Sequence, residues 1–108
     1  MKENSMIENQ FYGTIGYSDD NKCKRFREIA SELADLYAKK NEDYGDSFGN
    51  LYKKLGPIAG LVPLHNKIDR ATNLVQSKES HFESLEDTFR DLASYAIMNL
   101  IELENKDA

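Results

Sequence analysis

Tryptophan is absent from this sequence, cysteine occurs once, and there are only two prolines and six glycines in 108 residues. The single Cys23 excludes an internal disulfide and fits a reducing compartment. So little proline and glycine argues against a turn-rich β architecture. No apolar run approaches the ~20 residues that a membrane helix needs. Met1-Lys2-Glu3-Asn4 lacks the basic start and apolar stretch of a signal peptide. A cytoplasmic protein with no membrane partner is expected. Clusters of positive charge are missing as well: Asp and Glu outnumber Lys and Arg 19 to 14. The nearest approach to one, Lys22 to Arg25, is bracketed by Asp19, Asp20 and Glu28. Nucleic-acid binders use cationic surface to displace counterions from phosphates. Stable duplex binding is therefore not expected, although a local phosphate site is compatible with this balance.

Helical periodicity is what the chain does have. Residues 1–18 form an N-terminal arm in which Phe11, Tyr12, Ile15 and Tyr17 are interrupted by Gly13 and Gly16; such an arm either docks or stays disordered. Residues 19–108 form the helical domain. Its first helix is expected from about Asp19 to Asn41, with Ser18 as N-cap and Lys39 and Lys40 in the last turn. Phe26, Ile29, Ala30, Leu33, Leu36 and Tyr37 form its apolar stripe. Residues 41–49 carry the turn chemistry of a loop. A short helix, about Asn50 to Leu55, ends at Gly56. The next helix is expected to start near Pro63, after an irregular approach over 57–62, because an interior proline breaks the ladder. It carries Leu61, Leu64, Ile68, Ala71 and Val75 on one face. In the last helix Ser80 and Glu83 have the spacing of a capping box. Its stripe runs through Phe82, Leu85, Phe89, Leu92, Ala93, Ala96, Leu100 and Leu103. The expected fold is all-α: a small bundle of three main helices plus a short one. The apolar stripes exceed what one short bundle can bury, so a homo-oligomer is expected.

Acidic residues at helical spacing are the first chemical candidates. Glu28, Glu32 and Asp35 lie opposite the apolar stripe of the first helix and read as a solvated face. Glu83, Glu86, Asp87 and Asp91 line the start of the last helix. Carboxylates at such spacing can hold Mg²⁺, which takes hard oxygen ligands and keeps waters for substrate phosphates. Glu86 falls within the apolar arc on the helical wheel, where a carboxylate must be paired or metal-bound. Arg90, four residues on, offers the pair, and both roles stay open. Lys67 and Arg70, one turn apart, can meet a phosphate. Lys40, Asp43, Tyr44 and Ser47 gather a cation, an acid, a hydroxyl and a ring able to stack on a base. From spacing alone, Tyr44 and Phe48 read more readily as plugs of the core. His65 and His81 lack metal-ligand spacing, and no glycine-rich phosphate loop or nucleophile elbow is present.

Three segments together resemble the nucleotide modification associated domain 1 family, common in phages and prophages: Lys40-Asn41-Glu42-Asp43-Tyr44-Gly45-Asp46-Ser47-Phe48, Lys67-Ile68-Asp69-Arg70, and Ser84 through Met98. The resemblance covers about Phe26 to Glu104. It implies an all-α protein of nucleotide metabolism or base modification whose partner is a small nucleotide. The chain is also distantly similar to all-α MazG-type pyrophosphohydrolases, which set E-x-x-E and E-x-x-D pairs around Mg²⁺. Here Glu32-x-x-Asp35 and Glu83-x-x-Glu86 stand in the opposite order. The enzymatic expectation is Mg²⁺-dependent hydrolysis of a nucleotide phosphoanhydride. Glu86, Asp87 and Asp91 are its catalytic candidates, and Glu83 joins them as a metal ligand. Lys40, Asp43, Tyr44, Ser47, Lys67 and Arg70 would bind the nucleotide. The alternatives are a non-catalytic nucleotide-binding or sequestering protein, or an oligomeric interaction module. Pro63 and Asn66 depart from the family pattern, which has a basic residue and an Asp there, and this favours binding over turnover.

Overall fold

A computed structural model describes residues 17–105. Among them are four helices and no strand: α1 (Tyr17–Tyr44), α2 (Ser47–Leu55), α3 (Pro57–Gln76) and α4 (Phe82–Glu104). The chain forms two compact units, Met1–Leu36 and Tyr37–Ala108. In the first, Leu33 is buried and Ile29 half-buried, while Phe26 and Leu36 on the same stripe are exposed. Arg25 binds Glu28 at 3.1 Å and Glu32 at 3.3 Å on the solvated face. The hydrogen bond it donates to Glu28, then that to Glu32, holds its guanidinium above its ordinary, already high pKa. The expected arm over residues 1–16 lies outside the described residues. Tyr17 and Ser18 belong to α1, so Ser18 is not its N-cap.

The second unit is built on an antiparallel pair. Asn99 Nδ2 donates to Gly60 O at 3.0 Å, and Lys67 Nζ lies 3.0 Å from Asp91 Oδ2. Numbers rise along α3 as they fall along α4. Gly60 permits this approach, because a Cβ there would collide with the Asn99 side chain and press on the Tyr52 ring. α2 is fixed to the pair through Phe48, whose ring is 6.1 Å from Tyr52 and 6.0 Å from Tyr95. Gly49, Tyr52, Ala59, Gly60, Ala71 and Thr88 are the unit's buried residues. Thr88 satisfies its hydroxyl by donating to Ser84 O at 2.7 Å, the usual resolution for a mid-helix threonine.

Several expected boundaries shift. α1 runs on to Tyr44, and Lys39 and Lys40 sit before its last turn. The expected loop shrinks to Gly45 and Asp46. Gly45 adopts φ 73°, a region that costs a residue with a Cβ, and its N–H closes the end of α1 on Asn41 O at 2.8 Å. Asp46 then caps α2 by accepting from Gly49 N at 3.1 Å. Two turn residues suffice because each helix end is satisfied locally. α3 starts at Pro57, in the first-turn position where a missing N–H costs nothing. It continues through Pro63. The turn that Pro63 would break contains buried Ala59 and Gly60, anchored by Asn99, and that packing offsets an interior proline's cost of about 3 kcal/mol. The capping box of the last helix does not form. His81 is the N-cap of α4 and makes no side-chain cap bond. Ser77 braces the turn before it, accepting from Glu79 N at 3.2 Å and meeting His81 Nε2 at 3.0 Å.

The largest correction concerns the stripes. On α4, Leu85 and Leu92 are half-buried, but Phe82, Phe89, Ala93, Ala96, Leu100 and Leu103 are exposed. On α3, Ala71 is buried and Leu64 half-buried, while Leu61, Ile68 and Val75 are exposed. The α4 side that is covered runs through Leu85, Thr88, Asp91, Leu92, Tyr95 and Asn99, a series that mixes polar residues with leucines. Close approach at Gly60 and the Lys67–Asp91 pair set this rotation.

Candidate site at the α3–α4 ion pair and the α1–α2 turn

Four charged side chains gather where α3 meets α4. The Lys67–Asp91 pair bridges the helices, with side chains 29% and 38% exposed. Arg70 lies one turn after Lys67, and Asp87 one turn before Asp91. In an antiparallel pair these steps lead the same way, so two cations and two carboxylates form one alternating patch. Its partial burial keeps the Lys67–Asp91 attraction less screened than at a free surface. In the other direction along α4, one turn after Asp91, comes Tyr95. The Tyr95 ring meets Phe48, which follows Ser47 directly. The α1–α2 turn is thereby attached one helical turn from the ion pair.

At that turn, Lys40, Asp43 and Tyr44 are spaced i, i+3 and i+4, and so share one side of α1. Tyr44 is 77% exposed. The core-plug role expected from spacing is therefore corrected for Tyr44, and Phe48 alone fills it. A ring that ends a helix beside a two-residue turn is displayed rather than packed. Among the described residues no hydrogen bond or ion pair joins Lys40, Asp43, Tyr44 or Ser47 to Lys67 or Arg70.

The acidic candidates on α4 separate. At about 100° per residue, Asp87 and Asp91 share a side of α4 and Glu86 is turned away. Glu86 is 49% exposed, against the sequence expectation that it points into the core, and lies 3.7 Å from Arg90. Its apolar arc is real, but that arc is the uncovered stripe, so no desolvation is imposed on the carboxylate. Among the described residues no group of three or more His, Cys, Asp or Glu is arranged to hold a metal ion. Asp91 is engaged by Lys67, and Glu86 by Arg90.

Asn99 and Thr88 are the positioning residues that the sequence reading passed over. Asn99 interrupts the apolar run Tyr95–Ile101, which is the signal that would have found it, whereas nothing in the spacing marks Thr88 among its charged neighbours. Asn99 also donates to Tyr95 O at 2.8 Å, so one amide ties its own helix to α3.

A family model described as nucleotide modification associated domain 1 matches residues 40–103, more than half of the chain. The chain belongs to the nucleotide modification associated domain 1 family. The matched segment begins at Lys40, ahead of Asp43, Tyr44 and Ser47, and ends at Leu103, so it holds every candidate site residue named above. It lies entirely within the second compact unit. No curated protein and no solved structure matches the chain, and the MazG-type likeness has no support beyond the residue pairs that suggested it. No helix among the described residues is long and apolar enough to cross a membrane.

Proposed function

We propose that this member of the nucleotide modification associated domain 1 family binds a nucleotide at the α3–α4 patch and the neighbouring α1–α2 turn. The observation that carries the reading is the half-buried Lys67–Asp91 pair, one turn from the ring contact that anchors Ser47 and Phe48. Lys67 and Arg70 take the phosphates, as paired cations on one helical turn do. Tyr44 supplies an exposed ring for the base, Lys40 and Asp43 supply polar contacts on the same side of α1, and Ser47 opens α2 just beyond the turn. A phosphate at Lys67 competes with Asp91, so binding exchanges one anion for another rather than burying a new charge. Magnesium belongs to the proposal only as a companion of the phosphates. Mg²⁺ is commonly held by one or two carboxylates plus phosphate oxygens and water, and Asp87 and Asp91 meet that smaller requirement. Binding without turnover is favoured over phosphoanhydride hydrolysis, because Glu86 is turned from Asp87 and Asp91 and, among the described residues, no third carboxylate joins them.

The test is thermal-shift screening of a nucleotide panel, with product analysis of the same mixtures. A bound nucleotide at a hundred times its Kd stabilises by about 2.7 kcal/mol, a readily measured shift. Lys67→Ala and Tyr44→Ala should each abolish the shift. Tyr44→Ala should leave stability within about 0.5 kcal/mol of wild type, as at other exposed positions. A panel without any shift, or shifts untouched by both substitutions, refutes the site.

A further inference from the structure

The most conspicuous unexplained feature of the second unit is apolar. Leu61, Ile68 and Val75 on α3 and Phe82, Phe89 and Leu100 on α4 are each at least half exposed. At about 100° per residue they lie to the same side of the antiparallel pair, away from Lys67 and Asp91. They form one surface across both helices, on the face opposite the charged patch. Half-exposed side chains of this size present together roughly 500–800 Å² of apolar surface. That exceeds the few hundred Å² that monomers usually leave open, and approaches the ~800 Å² each partner contributes to a stable interface.

The spacing says what kind of body covers it. Leu61, Ile68 and Val75 recur every seven residues, and so do Phe82, Phe89, Ala96 and Leu103. A seven-residue repeat keeps its seam facing another helix at a shallow crossing angle. A membrane surface or an extended peptide has no such requirement. Ala93 and Ala96 stand in the middle of the α4 stripe, between the bulky Phe89 and Leu100. Small residues there let a second helix approach most closely at the stripe's centre, as a two-fold axis at that point requires. α3 and α4, of 20 and 23 residues, are matched in length, so two such pairs laid face to face make a four-helix bundle.

We infer that this face is a homodimer interface, on which a second copy of the chain lays its own α3–α4 pair about a two-fold axis near Ala93. The interface is isologous, so each residue meets the same patch on the partner. It leaves the Lys67–Asp91 side of each copy open, and does not depend on whether that side binds nucleotide.

Sedimentation equilibrium of the full chain at micromolar concentration tests the assembly, and two variants test the face. The wild type should sediment as a dimer. Phe89→Glu, a change at an exposed position, should keep its helical circular dichroism and weaken dimerisation at least a hundredfold. Ala93→Cys, in a Cys23→Ser background, should form an interchain disulfide under mild oxidation, whereas the same change at Asp69 should not. A wild-type monomer overturns the proposal and would mean that the face is covered within one chain. A dimer that survives Phe89→Glu and does not cross-link through Ala93→Cys overturns it as well, by locating the interface elsewhere.

Discussion

At the scale of single residues, Glu86 shows how a helical wheel can mislead. Its position in the apolar arc is correct, and so is the expected partner Arg90, at 3.7 Å. What periodicity could not supply is which side of α4 is covered. Within one chain Glu86 is half exposed and its pair with Arg90 resembles any exposed i, i+4 contact. Glu86→Gln should therefore change the stability of the single chain by no more than about 0.5 kcal/mol. It should also leave any Mg²⁺ response unaltered. Urea denaturation of both proteins with and without Mg²⁺ checks this, and a clear stabilisation of the apo variant would restore Glu86 to a crowded acidic site. Gly60 is the opposite case, a residue without side-chain chemistry on which the packing depends. Gly60→Ala drives a methyl into Asn99 and against Tyr52. The expected cost is about 1–3 kcal/mol, typical of overpacking, read as a lower denaturation midpoint.

At the scale of elements, helix content was legible and helix ends were not. The three long helices are legible from apolar spacing, because that spacing is a local property, and the short one from the Gly56 that ends it. Their ends depended on small competitions. Ser80 and Glu83 carry the sequence signature of a cap, yet Ser77 and His81 organise the turn and α4 starts one residue later than the signature implies. Pro63 reads as a helix start, yet Pro57 is already in the favoured first-turn position and the buried Ala59–Gly60 turn holds the helix together. Asp46 is a cap that spacing did not single out. Because its carboxylate satisfies Gly49 N, Asp46→Ala should cost about 1 kcal/mol, the usual value of an N-cap. The loss should appear as faster amide exchange in the first turn of α2, and unchanged exchange there would mean that the cap bond contributes nothing.

At the scale of the whole molecule, the two sides of the α3–α4 pair differ in kind. One carries the Lys67–Asp91 ion pair, and the other a seven-residue apolar repeat. Among the described residues no three acidic side chains converge, and the proposed role of Mg²⁺ is as a companion of bound phosphate. Millimolar Mg²⁺ without nucleotide should leave the melting temperature unchanged, while Mg²⁺ with a bound nucleotide should raise it beyond the nucleotide's own shift. A response to Mg²⁺ alone would mean that the metal binds without phosphate and would overturn its companion role. Indifference to Mg²⁺ in both conditions would remove the metal from the proposal and leave nucleotide binding intact.

The sequence by itself determined the helices, the absence of strand among the described residues, the family, and the types of residue available for chemistry. These follow from local periodicity and from motifs contiguous in the chain. Only the tertiary structure decided which stripe of each helix is covered. A helix with two apolar sides can pack on either, and the choice was made by contacts 39 residues apart in the chain, such as Asn99 on Gly60. That single rotation brought Lys67 to Asp91 and turned Glu86 away from them. It also left Phe82, Phe89 and Leu100 uncovered, because close approach at a glycine and a hydrogen-bonded asparagine outweighed the larger but non-directional gain of burying the bulkier face.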